Sequence, residues 1–67
     1  MIERWGLNTG WLKATAAALH PSGPVYFRAR DVMVVLQGAG DITTLFLAGG
    51  GEVNIRASAE DVMKHLE

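Results

Sequence analysis

Apolar residues in the second half of the chain form four short runs that are separated by turn residues. Each run has the length and the β-branched or aromatic content that is typical of a β-strand. The pattern predicts strands at about residues 25–29, 32–37, 43–47 and 52–56. Glycines punctuate the last two gaps, and glycine tolerates the positive φ angles of tight turns. The order of runs and turns therefore predicts a β-meander.

The second predicted strand, residues 32–37, is apolar on both of its faces. Such a strand must be covered on both sides. A helix would cover one side, and the other side requires a curled sheet, a second helix or another subunit. Trp5 would belong either to the core or to a subunit interface; because Trp is a frequent anchor residue at interfaces, we expect it to join Met33 and Val35 in a contact between copies of the chain.

A helical pattern precedes the predicted strands. Between about residues 9 and 19, apolar positions recur at three- and four-residue steps, and several alanines raise the helix propensity. Asn8 or Thr9 would cap this helix. It would end before Pro21, because the residue that precedes a proline is pushed out of the α region. We expect Trp11 to anchor the helix to the sheet.

A second helix is predicted at about residues 58–66. Its start resembles a capping box, in which Ser58 is the cap and Asp61 replaces the usual Glu. Residues 1–67 are therefore expected to form a single α+β domain. Its predicted elements are an N-terminal helix, a four-stranded antiparallel meander bent toward a partial barrel, and a C-terminal helix.

The length of the chain, 67 residues, leaves room for only one small core. Domains of this size usually need an additional source of stability. Cys is absent, which excludes disulfides and thiolate metal sites. Self-association remains as a source of additional stability, and we therefore expect a homo-oligomer.

Neither the charge nor the hydropathy of the chain indicates a protein that binds polyanions through its overall charge or one that spans a membrane. The chain has six Lys and Arg against seven Asp and Glu, and its sequence pI is about 6.0. Such a balance gives no overall attraction to phosphate, although a local Arg patch remains compatible with it. No apolar run approaches the ~20 residues of a membrane-spanning helix, and the first residues lack the pattern of a signal peptide. We expect a cytoplasmic protein without a membrane partner.

The residues that usually carry catalysis are scattered. The triple glycine at residues 49–51 is followed by a strand, whereas a phosphate-binding loop requires a helix at that point. Acidic residues show no hydrolase or calcium-loop spacing, and the two histidines are far apart. We therefore expect a non-enzymatic binding module with no catalytic residue, no metal site and no cofactor.

Arginine supplies the best candidates for a binding site. Arg28 and Arg30 would share one face of the first predicted strand, and Arg56 would end an outward-facing row of the fourth. If these strands are neighbours, the three guanidinium groups could converge on an anionic partner, with Tyr26 stacking on a base. The alternative is that these charges are solvated and discourage edge-to-edge strand pairing.

From Tyr26 onward, the order of features resembles the FlbD-like family of small flagellar regulators. Both show a strand, an Asp-hydrophobic turn, a Thr-rich strand, a Gly hairpin, a Val/Ile strand and a helix that starts with Ser. The stretches that carry the resemblance are residues 27–32, 41–47, 51–55 and 58–62. This resemblance implies a protein–protein interaction module that does not bind nucleic acid.

At the level of architecture, an N-terminal helix followed by a bent meander is similar to the Sm-like small barrel. Sm-like proteins assemble into rings and bind single-stranded RNA. This second resemblance implies a homo-oligomeric RNA-binding regulator. No residue of the chain is assigned a role in RNA binding from the family, and the four candidates named above come from the strand pattern alone.

Overall fold

The computed structural model of the chain describes residues 2–6, 9–17 and 23–66. They contain six β-strands, a short 3₁₀ helix and one α-helix. The strands are β1 (Ile2–Trp5), β2 (Trp11–Thr15), β3 (Pro24–Arg28), β4 (Val32–Gln37), β5 (Ile42–Leu47) and β6 (Glu52–Arg56). The 3₁₀ helix, Ala29–Asp31, joins β3 to β4, and α1 (Ala59–Leu66) follows β6.

The predicted N-terminal helix is wrong, because residues 11–15 form strand β2. Leu12 and Ala14 are buried, whereas Trp11 and Thr15 are exposed, which is the two-residue alternation of a half-buried strand. Pairing on both edges of β2 overrides the helix propensity of its alanine-rich surroundings. The predicted helix end at residues 18–21 lies outside the described residues, as does Asn8.

Thr9 has a different local role from the expected helix cap. Its hydroxyl donates a hydrogen bond to the carbonyl oxygen of Trp5 and accepts one from the backbone N–H of Trp11, at 3.2 Å. Gly6 and Gly10 adopt positive φ angles of 76° and 80° in the same connection. Thr9 therefore helps to hold the connection between β1 and β2.

The four-stranded meander is also wrong as a topology. The strands form two antiparallel three-stranded sheets, with the orders β1-β2-β3 and β4-β5-β6. The predicted strands lie within one residue of β3 to β6, but β3 pairs with β2 and not with β4. The 3₁₀ helix separates β3 from β4. The first sheet therefore contains one predicted strand and two that the pattern did not reveal.

The core lies between the inner faces of the two sheets. Fully buried residues come from both sheets and from the helix: Leu12, Leu45, Ile55, Val62 and Thr43. Each aliphatic side chain buried in this way stabilises the fold by about 1.5–3 kcal/mol. A bridge between Ala16 and Ile55 links β2 to β6, whereas α1 contacts β1 and β4. The helix thus covers the core where the two sheets are not bridged.

Side-chain hydrogen bonds join the second sheet to the helix. The hydroxyl of Ser58 accepts a hydrogen bond from the backbone N–H of Asp61 at 3.1 Å, which confirms Ser58 as the helix cap. The side-chain oxygen of Gln37 accepts one from the N–H of Ala59 at 2.7 Å. The buried hydroxyl of Thr43 donates to the carbonyl oxygen of Ala57 at 2.6 Å. These bonds satisfy polar groups where β6 leads into α1.

The bond made by Thr43 gives a stability prediction. Thr43→Val keeps the shape of the side chain but deprives the buried carbonyl of Ala57 of this donor, so the free energy of unfolding should fall by about 1–3 kcal/mol. Thr44→Val is the matched control, because its hydroxyl bonds the exposed side chain of Asn54. The control should change stability by no more than about 0.5 kcal/mol. Equal losses in urea denaturation would contradict the assigned role of Thr43.

Candidate functional site

The outer face of the first sheet presents aromatic and basic side chains in ranks that cross the strands. The register places Trp5 opposite Trp11, and Trp11 opposite Arg28. Residues opposite each other in antiparallel strands project from the same face. Leu12 and Phe27 are paired in the next rank and point into the core. The rank of Trp5, Trp11 and Arg28 therefore faces outward.

A second outward rank lies two residues further along the strands. It contains Glu3, Lys13 and Tyr26, which are opposite one another in β1, β2 and β3. The rings of Trp5 and Tyr26 meet edge to face, with their centroids 5.8 Å apart and their planes at 77°. Such a contact contributes about 0.5–1.5 kcal/mol beyond the buried area. The ring contact joins the two ranks into one surface.

Two cationic side chains of this face lie over aromatic rings. The Nζ of Lys13 is 5.9 Å from the ring centroid of Tyr26, and the Cζ of Arg28 is 5.8 Å from that of Trp11. Both distances are within the range of cation–π attraction. The Nε of Arg28 also donates a hydrogen bond to the carboxylate of Asp31 at 2.8 Å. These contacts set the charged groups beside the aromatic faces.

We call the aromatic and basic part of this surface, which Glu3 borders, the aromatic platform; its residues are Trp5, Trp11, Lys13, Tyr26 and Arg28. The three rings remain substantially exposed: Trp5 by 50%, Tyr26 by 45% and Trp11 by 37%. They line a shallow recess of about 260 Å³. Exposed neighbouring aromatic rings on a paired sheet make an apolar surface that favours a flat ligand.

A second recess adjoins the platform at Trp11. Its volume is about 410 Å³, and it lies between the β1–β2 connection and the 3₁₀ helix. Its lining consists of Thr9, Gly10, Trp11, Arg28, Ala29 and Arg30. The backbone N–H of Ala29 donates to the carbonyl oxygen of Gly10 at 2.9 Å, which fixes the two walls relative to each other. This recess combines polar groups with two arginines.

Charge is distributed unevenly along the chain. Up to residue 31 the sequence has four Lys or Arg and two Asp or Glu, whereas the remainder has two Lys or Arg and five Asp or Glu. The first sheet and the 3₁₀ helix thus belong to a segment with net positive charge, although the whole chain carries −1. On the outer face itself, Glu3 lies opposite Lys13 and Asp31 is bonded to Arg28, so the positive excess of the segment comes from Arg4 and Arg30.

The structure brings together only part of the arginine group that the sequence singles out. Tyr26 and Arg28 lie on the platform, and Arg30 lies in the 3₁₀ helix at the adjoining recess. Arg56 lies at the end of β6 in the other sheet, opposite Ile42. The three guanidinium groups are therefore not on one strand face.

Trp11 and Lys13 are platform residues that the sequence interpretation missed. It assigned both to a helix, and it expected Trp11 to anchor that helix against the sheet. The available signal was the alternation of apolar and polar residues from Leu12 to Thr15, where Leu12 and Ala14 are the inward positions. That alternation extends over only four residues, which is short for a periodicity argument.

The outer face of the second sheet carries an exposed apolar patch formed by Met33, Val34, Leu36 and Phe46. Val34 and Phe46 are opposite each other, and Met33 is the extra residue at a β-bulge between Val32 and Val34. Of the residues expected at a subunit interface, Met33 belongs to this patch and Trp5 to the platform. Val35 packs against the core instead.

Other kinds of site find no support among the described residues. Within residues 2–6, 9–17 and 23–66, no group of three or more His, Cys, Asp or Glu is placed to hold a metal ion. In the same part of the chain, no helix is long and apolar enough to cross a membrane. The two outer sheet faces therefore remain as the surfaces to interpret.

Comparisons of the chain with protein-family models, with curated proteins and with solved structures found no match. The resemblances to the FlbD-like family and to Sm-like proteins gain no support from them. Functional inference therefore rests on the geometry of the two faces.

The exposure of the platform can be tested by fluorescence quenching. Trp5→Phe and Trp11→Phe each leave one tryptophan, and both remaining rings are exposed in the structure. We expect iodide to quench both variants readily, and the ratio of iodide to caesium quenching should exceed that of free tryptophan, because Lys13 and Arg28 lie beside the rings. A shielded, blue-shifted Trp11 in the Trp5→Phe variant would contradict the strand assignment of β2.

Proposed function

We propose that this protein is a non-enzymatic module that binds single-stranded nucleic acid through the aromatic platform. The observation that carries the proposal is the placement of three exposed aromatic rings, with two cations over them, on one face of a sheet. Proteins that bind single strands combine aromatic rings, on which bases stack, with positive charge that follows the backbone. The platform supplies both components.

The arrangement favours a single strand over a duplex. Bases in a duplex already stack on each other, so their faces are not accessible to side chains. An unpaired base can stack on Trp11 or Tyr26, and such contacts contribute about 1–3 kcal/mol per base. Since every base has a π face, the proposed recognition depends little on sequence.

The charge balance sets the expected strength of binding. The chain carries a net charge of −1, so its overall field does not attract a polyanion. Lys13 and Arg28 supply local positive charge, but Asp31 compensates Arg28 in part and Glu3 lies opposite Lys13. We therefore expect modest affinity that falls with increasing salt, because phosphate contacts release counterions.

A proline-rich peptide is the competing ligand for this surface, since aromatic-lined grooves also bind polyproline II segments. The positive excess in the segment that contains the platform favours a polyanion instead. A titration that includes a labelled polyproline peptide beside the oligonucleotides separates the two. Binding of the peptide without binding of the oligonucleotides would replace the nucleic-acid proposal.

The platform predicts a specific loss of affinity in Trp11→Ala. Removing this ring should weaken binding of a labelled single strand of about six nucleotides by about 1–3 kcal/mol, or roughly 5- to 150-fold. Met63→Ala is the matched control, because it removes a large exposed apolar side chain from α1, outside both the platform and the apolar patch. Fluorescence anisotropy with oligo-U and oligo-A at low salt measures both variants.

Two outcomes would contradict the nucleic-acid proposal. One is the absence of wild-type binding at tens of micromolar protein. The other is an equal loss of affinity in Trp11→Ala and Met63→Ala, which would mean that the platform is not the binding surface.

We also propose that the apolar patch on the second sheet supports self-association with a second copy of the chain. Four exposed apolar side chains lie close together there, and β4 carries none of the charged residues that commonly protect an exposed strand. A second copy would bring an identical patch, which suits a two-fold symmetric contact. This proposal leaves the platform, on the other sheet, to the ligand.

The self-association proposal predicts that Leu36→Gln shifts the protein toward monomer in light scattering at micromolar concentration. Met63→Gln is the matched control, since Met63 is 53% exposed on α1 and Leu36 is 55% exposed in the patch. The wild-type protein and the Met63→Gln variant should remain associated. A wild-type protein that is monomeric at every micromolar concentration measured would refute self-association and leave the nucleic-acid proposal intact.

A further inference from the structure

We propose that the recess beside Trp11 is a phosphate-binding subsite for the strand whose bases stack on the platform. This inference rests on the proposed function, and it adds the position at which the nucleic-acid backbone is held. Trp11 lines both the platform and the recess. A strand whose base stacks on Trp11 therefore brings its backbone next to Arg28 and Arg30.

The two arginines of the recess have different roles. The Nε of Arg28 is engaged by Asp31, and its guanidinium lies over Trp11. Four of its five N–H donors belong to the two terminal nitrogens and are not part of that bond. Asp31 holds Arg28 in place but also cancels part of its charge. Arg28 thus supplies hydrogen-bond donors that are held in a fixed direction, but less net positive charge than an unpaired arginine.

Arg30 supplies the charge that Asp31 does not cancel. It is exposed in the 3₁₀ helix, and it forms no salt bridge with any residue that the structure describes. A guanidinium is always charged at physiological pH and suits the geometry of phosphate oxygens. Because Arg30 is exposed and lines an open recess, its guanidinium is accessible to a ligand.

The opposite wall of the recess is held in place by the backbone. The bond from the N–H of Ala29 to the carbonyl of Gly10 ties the 3₁₀ helix to the β1–β2 connection. A Cβ atom built on Gly10 would meet no protein atom within 4 Å, so the space around this residue is open. The lining also contains the Thr9 hydroxyl, which already bonds the backbone of Trp5 and Trp11. The walls are therefore fixed while the space between them stays accessible.

The test compares how salt affects binding of an oligo-U strand to wild-type protein, Arg30→Gln and Arg56→Gln. Each phosphate contact contributes about −0.7 to the slope of log K against log salt for single strands. Arg30→Gln should reduce the magnitude of the slope by about 0.7, which corresponds to a roughly fivefold smaller loss of affinity per tenfold rise in salt. Arg56→Gln, which changes an exposed arginine of the other sheet, should keep the wild-type slope.

The outcomes separate this inference from the proposed function. Trp11→Ala should weaken binding with little change in slope, because stacking does not release counterions. A wild-type slope in Arg30→Gln, while Trp11→Ala still weakens binding, would overturn the phosphate subsite and leave the platform proposal standing. A reduced slope in Arg56→Gln would move the phosphate contact to the second sheet. Failure of the wild-type protein to bind any strand would overturn both.

Discussion

Strand β2 is the element on which the rest of the structure depends. It pairs with β1 on one edge and β3 on the other, and Ala16, directly after its end, bridges to β6. Because side chains alternate along a strand, this pairing sends Leu12 and Ala14 into the core and Trp11 and Lys13 outward. A shift of one residue in register would exchange the two sets. One face of this five-residue strand therefore contributes to the core, and the opposite face contributes to the aromatic platform.

The small size of the domain determines which apolar side chains are buried and which remain exposed. Two three-stranded sheets and an eight-residue helix must exclude water from one shared interior. Val62 of α1 is fully buried, and the helix contacts β1 and β4. With the inner faces used for packing, the aromatic and aliphatic residues of the outer faces remain exposed. Exposed apolar groups in such neighbouring sets are typical of binding surfaces.

Local signals predicted the second half of the chain well. Strands β3 to β6 and the start of α1 lie within one residue of the positions expected from alternation, glycine turns and the Ser58 cap. These signals are local, because each depends on a few neighbouring residues. The partner of a strand is a non-local property, and the pattern did not show that β3 pairs with β2. The meander was wrong for this reason.

The first half of the chain shows why part of the site was missed. The three- and four-residue spacing of its apolar positions fits a helix, and the alanines favour one intrinsically. Pairing on two edges outweighs that preference in β2. Tyr26 and Arg28 were chosen as candidates because they lie on a strand that the pattern revealed. Trp11 and Lys13 were missed because their strand resembles a helix.

Binding at the outer face of the first sheet can be observed by NMR, in a titration of ¹⁵N-labelled protein with a short single-stranded oligonucleotide. If this face is the ligand-binding surface, the indole N–H signals of Trp5 and Trp11 and the amides of β1 to β3 should show saturable shifts. Shifts confined to the outer face of β4 and β5, or no shifts at saturating oligonucleotide, would contradict it.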